Sequence, residues 1–133
     1  MRNLYKSLVA SLLLTLAFVA QADPGEASMT QWLSLVDAGQ YQESWEASSP
    51  FFQQQISADK WQQALTMVRA PLGAVESREI AARQAVDNIP GAPAGSYVVY
   101  TLNTAFANMP SATETITIVE DNASWKVVGY FIR

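Results

Sequence analysis

Two charged residues on predicted strands are the best candidates for chemistry in this chain. Arg78 shares strand parity with Ile80, and Glu114 shares it with Ile116. A charge on an apolar face lies at the sheet rim, is paired inside the fold, or lines a cavity, because burying it alone costs several kcal/mol. One interpretation of Arg78 and Glu114 is therefore a rim charge or a structural ion pair, and the other is the polar end of a ligand pocket. Tyr100 is predicted to lie nearby on the matching face.

Missing residue types exclude several reaction classes. The 133 residues include no His and no Cys, so Ser/His/Asp and Cys/His catalysis are excluded. A metal site would have to consist of carboxylates, and the closest acidic pair, Glu120-Asp121, falls at a predicted turn. The sequence contains no glycine-rich phosphate loop and no nucleophile elbow. It therefore predicts no metal, no cofactor and no identifiable catalytic residue.

Helices that would position this pair are predicted in the first half of the chain. Ser28 is a suitable cap for the first helix, and Gly39 a suitable end. Shorter helices are predicted over 40–47 and from Pro50, and a longer one from Ser57 until Pro71. The residues expected to face the core are Met29, Trp32, Trp45, Phe51, Trp61 and Leu65. An aromatic cage for a ligand is the alternative reading of the aromatic members.

Strands are predicted in the second half, over 74–86, 97–107, 112–120 and 124–132, with a loop rich in Pro and Gly over 87–96. A helix is the alternative for 74–86, because this segment contains Ala81 and Ala82. Helices followed by strands with short turns indicate an α+β fold, with the helices packed on a curved antiparallel sheet of about four strands. The residues expected to face the helices are Val98, Tyr100, Leu102, Phe106, Ile116 and Ile118.

The first 22 residues resemble a secretory signal peptide. Arg2 and Lys6 precede the uncharged stretch 8–20, and Ala20-Gln21-Ala22 has the small-x-small pattern of a cleavage site. The stretch is shorter than the roughly 20 residues of a membrane span, so we expect cleavage after Ala22 and no stable membrane insertion. Residues 23–133 would then form a single domain in the bacterial periplasm, which suits a small chain without cysteine.

Residues 23–133 carry six Lys or Arg residues and twelve Asp or Glu residues. The cations are dispersed and form no basic stripe, which argues against a nucleic-acid partner and against an anionic membrane surface. The last strand has apolar residues on both parities, with Trp125, Val127 and Phe131 on one of them. Tyr97 and Val99 add apolar residues to the outer side of a neighbouring strand. A homodimer formed sheet against sheet is one interpretation, and scattered exposed apolar residues are the other.

Several segments carry a resemblance to a known family. They are Pro71-Leu72-Gly73, Ser77-Arg78-Glu79, the segment 113–117 and the segment 125–133, together with the 32–45 region. In this order they resemble the short secreted proteobacterial proteins catalogued as domain of unknown function number 4019, over roughly Ser28 to Arg133. The resemblance implies no chemistry. The order of helices and sheet is also similar to the cystatin-like roll of the nuclear-transport-factor-2-like superfamily, a likeness of architecture alone.

Three functions agree with these observations. The first is a non-catalytic exported module that binds a small apolar ligand or a protein partner. The second is an isomerase or dehydratase that uses a pocket carboxylate and a tyrosine, for which Glu114 and Tyr100 are the candidates. The third is an envelope interaction protein that works through the outer face of the sheet.

Overall fold

The computed structural model describes residues 23–133. The predicted signal peptide and its cleavage site lie outside the described residues. The helices are α1 (Pro24–Asp37), α2 (Tyr41–Glu46), α3 (Pro50–Gln55) and α4 (Ala58–Arg69), followed by a 3-10 turn, Ala70–Leu72. The strands are β1 (Val75–Val86), β2 (Tyr97–Phe106), β3 (Met109–Asp121) and β4 (Ser124–Ile132). Within residues 23–133, no helix is long and apolar enough to cross a membrane.

The four strands form one antiparallel sheet in the order β1-β2-β3-β4, so each strand pairs with its neighbour in sequence. The predicted α+β class with four antiparallel strands is confirmed. The hairpin between β3 and β4 turns through Asn122 and Ala123, and both residues have positive φ, at 48° and 65°. This pair of left-handed residues matches the right-handed twist of the flanking strands.

Helix α1 begins earlier than predicted. Asp23, not Ser28, is the N-cap, and its carboxylate accepts a hydrogen bond from the Gly25 amide at 3.0 Å. Pro24 occupies the first helical position, where its missing N–H costs nothing. Residues 24–27, which a cap at Ser28 would leave outside the helix, therefore form the first turn of α1. Gly39 follows α1 with φ of 75°, the left-handed conformation predicted for it.

The core lies between the helices and one face of the sheet. All six sheet residues predicted to face the helices are buried, as are Met29, Trp32, Trp61 and Leu65. In α3 the buried aromatic is Phe52 and Phe51 is only half-buried, so the prediction was displaced by one residue. Val68 of α4 has the helical spacing of a core residue but is 45 % exposed.

A bulge in β4 changes which of its side chains share a face. Thr117 pairs with Gly129 but Ile118 pairs with Val127, so Val128 is the extra residue. Tyr130 consequently lies on the same face as Val127, and Phe131 points the other way. The predicted grouping of Phe131 with Val127 was wrong because a strict two-residue period does not allow for a bulge.

Strand β1 lies at one edge of the sheet and is the least covered strand. None of its twelve residues is buried, although its inward-facing residues continue the face that the helices cover elsewhere. Helices α1 and α3 pack on β4, and α1 also contacts β3. The helical layer therefore sits over the β3–β4 side and leaves a groove between α1 and β1.

Candidate functional site

Arg78 and Glu114 form an ion pair, which is one of the arrangements that their strand parity indicates. The Arg78 Nε donates to Glu114 Oε1 at 2.6 Å, and its Nη2 donates to Oε2 at 3.1 Å. The Glu114 side chain is 0 % exposed and the Arg78 side chain 17 % exposed. The two residues lie on β1 and β3, which are separated by β2, so the long arginine side chain crosses the face of the intervening strand. This bidentate geometry is the strongest form of an arginine–carboxylate contact.

Two helix ends join the pair. Asp37, the last residue of α1, accepts from Arg78 Nη1 at 2.7 Å and from Nη2 at 3.0 Å. Asp37 also accepts from Nη2 of Arg69, the last residue of α4, at 2.9 Å. The Arg69 guanidinium lies 4.9 Å from the centre of the Phe106 ring. Two cations and two anions thus form one neutral network that joins both helices to the sheet.

Glu114 has no remaining capacity to accept a hydrogen bond. Besides the two bonds from Arg78, its Oε1 accepts from Thr104 Oγ1 at 2.5 Å and its Oε2 accepts from the Tyr130 hydroxyl. A carboxylate offers about four acceptor sites, and these four donors occupy them. Glu114 could take a substrate proton only after losing one of these partners. All four strands contribute to this cluster through Arg78, Thr104, Glu114 and Tyr130.

The surroundings of Arg78, Asp37 and Tyr130 shift the pKa of each group so that it stays in the form that makes these hydrogen bonds. Burial acts to lower the pKa of Arg78, but hydrogen bonds to Asp37 and Glu114 more than offset it and the pKa is raised. Burial acts to raise the pKa of Asp37, but the hydrogen bonds and charges of Arg78 and Arg69 bring it below its ordinary value. Burial and the neighbouring Glu114 charge raise the pKa of Tyr130, which therefore remains a donor at neutral pH.

Tyr100 lies on the helix-facing side of β2 but makes no hydrogen bond to Arg78 or Glu114. Its ring is fully buried, and its hydroxyl finds no hydrogen-bond partner among residues 23–133. A Cβ atom at Gly25 would lie 3.2 Å from that hydroxyl, which places it under the first turn of α1. Tyr130 is the tyrosine that bonds to Glu114, and it was missed because the β4 bulge alters the parity of its strand.

Trp32 and Trp61 belong to the core and do not form an open cage, and the half-buried Trp45 and Trp125 pack against that core. The Trp32 Nε1 donates to the Ser44 carbonyl at 2.9 Å and to Ser48 Oγ at 3.0 Å, and Trp61 Nε1 donates to Ser44 Oγ at 3.0 Å. The rings also pack on one another, with Trp32 and Trp61 centroids 6.1 Å apart. Their polar and apolar surfaces are thus used inside the protein, as the core interpretation predicted.

A groove of about 480 Å³ runs beside the ionic network, between α1 and β1. Its apolar base comes from Met29 and Leu33 of α1, Leu102 of β2, and Ile80, which is 41 % exposed. Glu26, Asp37 and Arg78 place ionisable groups on its walls. Glu79 borders the groove through its backbone, because its side chain points to the other face of the sheet from Arg78 and Ile80. The volume falls within the roughly 300–1,000 Å³ range of sites for small ligands. In the described part of the chain, no group of three or more Asp or Glu residues is arranged to hold a metal ion.

The family model described as "Protein of unknown function (DUF4019)" matches residues 28–130. The chain belongs to this family. The match covers most of α1, all the other helices and nearly the whole sheet, and so includes the entire ionic network. The family description assigns no activity. No curated protein matches the chain significantly.

Within this DUF4019 chain, sequence reasoning identified the centre of the network but not its periphery. Arg78 and Glu114 stood out as charges at apolar positions of strands. Asp37 and Arg69 occupy helix ends, where charged residues are ordinary, and Thr104 is a common strand residue. One signal was available for Asp37: it lies four residues after Leu33, on the face of α1 that points to the sheet.

Proposed function

We propose that this protein is an exported, non-catalytic module that binds a small, largely apolar molecule in the groove between α1 and β1. The observation that carries the proposal is the groove itself, with its base of Met29, Leu33, Ile80 and Leu102 beside a polar wall. Small-molecule sites have this composition, in which apolar side chains supply affinity and a few polar groups orient the ligand.

The polar wall is suited to orientation. Arg78 uses four of its five N–H groups on Asp37 and Glu114, which leaves one Nη1 hydrogen for a ligand acceptor. Because the guanidinium is clamped from two sides, it offers that donor in a fixed direction, and a ligand does not have to order it. The hydroxyls of Thr30 and Ser34 line the same groove from α1.

The saturated Glu114 carboxylate favours binding over catalysis. An isomerase or dehydratase needs a carboxylate that can take a proton from the substrate, within about 2.6–3.2 Å of it. Glu114 already accepts four hydrogen bonds, and it is fully buried behind Arg78. The signal-like first 22 residues support export, and binding would then take place in the periplasm.

The test is a titration of the purified protein with the apolar fluorescent dye N-phenyl-1-naphthylamine. We expect saturable binding by the parent protein and at least tenfold weaker binding by Ile80→Glu, which places a charge at the groove. Met67→Glu is the matched control, because Met67 is 78 % exposed on α4 and does not line the groove.

Two outcomes would contradict the proposal. One is the absence of saturable dye binding to the parent protein. The other is binding that survives Ile80→Glu but is lost in Phe131→Glu. Phe131 is 51 % exposed on the outer face of the sheet, so loss of dye binding in Phe131→Glu would favour an interaction protein or a sheet-to-sheet dimer.

A further inference from the structure

We propose that a polar hollow on the outer face of the sheet is a second binding site, and that its ligand is a neutral saccharide. The hollow has a volume of about 540 Å³ and lies at the end of the sheet where the β2–β3 hairpin turns. The α1–β1 groove lies on the opposite face, under the helices. The two sites are independent, so either proposal can fail without the other.

The side chains of the hollow form two rows across β1, β2 and β3. In the first row Ser77 pairs with Ala105, and Ser111 lies across from Ala105 on β3. The second row consists of Glu79, Asn103 and Thr113. Both rows alternate along their strands with residues whose side chains bond inside the fold, such as Arg78 and Thr104, and therefore point outward. The small side chains of the first row create the depression, and the strands hold the polar groups at fixed spacing.

Five polar side chains in the hollow have no partner in the described part of the chain. None of them forms a side-chain hydrogen bond or an ion pair within residues 23–133. They are Ser77, Glu79, Asn103, Ser111 and Thr113. The three hydroxyls and the amide both donate and accept hydrogen bonds, and the carboxylate only accepts them. The hollow thus presents a mixed set of donors and acceptors that a ligand can use.

This composition favours a saccharide over an apolar ligand. Each sugar hydroxyl both donates and accepts hydrogen bonds, so neighbouring sugar hydroxyls match a surface of hydroxyl, amide and carboxylate groups. Among the residues that line the hollow, Ala105 and Pro110 provide the outward apolar surface. That surface is too small to hold an apolar tail, but it can contact the C–H face of a sugar ring.

Glu79 gives the hollow a negative charge, which selects against an anionic sugar. Arg78 also lines the hollow, but its guanidinium bonds to Glu114 on the other face of the sheet. No salt bridge joins Glu79 to another residue of 23–133. Its charge is therefore uncompensated nearby and would repel a carboxylate on the ligand.

The test follows the amide NMR spectrum of the purified, isotope-labelled protein during titration with disaccharides. The neutral probes are maltose, cellobiose and N,N′-diacetylchitobiose, and digalacturonate is the anionic comparison. We expect at least one neutral disaccharide to cause saturable shifts in residues 77–79, 103–105 and 111–113, with a Kd on the order of 1 mM. Digalacturonate should bind at least about threefold more weakly at low ionic strength.

Variants connect the binding to the hollow. Ala105→Leu fills the depression and should weaken binding of the neutral disaccharide by about tenfold or more. Ala82→Leu is the matched control, because Ala82 is exposed on the outer face of β1 and does not line the hollow. Glu79→Gln removes the charge at nearly constant size and should reduce the discrimination against digalacturonate. The amide spectra also report whether each variant is folded.

Three outcomes would overturn the saccharide site. One is the absence of saturable shifts with all three neutral disaccharides. Another is equal weakening by Ala105→Leu and Ala82→Leu, or tighter binding of digalacturonate than of every neutral disaccharide. The third is a set of shifts confined to α1 and the groove around Ile80, which would place the sugar on the other face. Failure of N-phenyl-1-naphthylamine to bind concerns the groove alone and overturns only the proposed function.

Discussion

At the scale of single residues, Glu114 is a fully buried carboxylate whose charge is compensated inside the fold. Removing Arg78 would leave that charge without its bidentate partner, and breaking a buried ion pair costs about 3–5 kcal/mol. We expect Arg78→Met to lower the free energy of unfolding by about this amount, measured by urea denaturation.

A double variant tests whether Arg78 and Glu114 stabilise the protein as a coupled pair. Arg78→Met combined with Glu114→Leu removes both charges, so its loss should be clearly smaller than the sum of the two single losses. Arg83→Met is the control, because the side chains of its ion pair with Asp23 are 42 % and 31 % exposed, and it should cost far less. Additive losses in the double variant would contradict the view that the two residues act as a unit.

Asp37 makes the stability of the folded protein depend on pH. Its folded-state pKa lies below the unfolded value, so the native state binds its proton less readily than the unfolded chain does. Its contribution to stability is present above an unfolded pKa of about 3.9 and is lost as pH falls toward the lower folded value. We expect Asp37→Asn to be less stable than the parent at pH 7.

The difference in stability between Asp37→Asn and the parent should shrink as the pH is lowered below about 4. Thermal unfolding of both proteins between neutral and acidic pH measures it. A difference that stays constant down to the lowest pH would show that the Asp37 charge is not the cause.

Only part of the ionic network could be predicted from the sequence. The pairing of Arg78 with Glu114 follows from two-residue periodicity, since each is a charge at an apolar position. Tyr130 could not be found in this way, because the bulge at Val128 is not visible in the pattern. Asp37 and Arg69 join the cluster only through tertiary packing of helix ends, which no local spacing encodes.

At the scale of secondary-structure elements, the β3–β4 hairpin contains a strained residue. Ala123 adopts φ of 65°, and a Cβ atom disfavours this conformation by roughly 1–2 kcal/mol. We expect Ala123→Gly to raise the free energy of unfolding by up to about 1 kcal/mol, because glycine relieves the strain but loses more entropy on folding. Urea denaturation measures the change.

Gly39→Ala, which adds a Cβ atom at a left-handed residue, is the control for Ala123→Gly. Gly39 has φ of 75° after α1, and a Cβ atom there would meet no neighbour within 4 Å. Gly39→Ala should therefore destabilise the protein through backbone strain alone. If Ala123→Gly lowered stability, the left-handed turn would not be the dominant factor.

Most elements could be predicted from the sequence, because their boundaries coincide with strong local signals. Four residues mark a start or an end that the structure confirms, namely Gly39, Pro50, Ser57 and Gly73. The start of α1 was placed late because two capping residues compete. Asp23 prevails because Pro24 follows it and is suited to the first helical position.

At the scale of the whole molecule, the helical layer covers the β3–β4 half of the sheet better than the β1 edge. β1 has no buried residue, whereas β2 and β3 carry most of the buried sheet residues. We expect hydrogen exchange to be faster in β1 than in β2 and β3, because its amides lie at an open edge and are covered least. Peptide-resolved hydrogen–deuterium exchange on the whole protein measures this.

Ligand binding in the groove should slow exchange in β1 and in α1 more than in α4, which does not line the groove. Uniform protection of the amides across the four strands without ligand would contradict the view that β1 is a loosely covered edge.

The arrangement of helices followed by a sheet could be predicted from the sequence, because a helical period in the first half gives way to a strand period in the second half. Which strands the helices cover could not be predicted, because it depends on how α1 and α3 dock on β4.

The open edge of β1 also has a consequence for self-association into fibrils. Stacking of strands into a steric zipper generally needs a regular segment of six or seven residues. Irregularities between Val75 and Ser77 and between Ile80 and Ala82 leave regular pairing only over Ser77–Ile80 and Ala82–Val86, four and five residues. Glu76, Glu79 and Arg83 add exposed charges along the same edge. The strand thus has an open edge yet is poorly suited to recruit further copies of itself as an amyloid-like template.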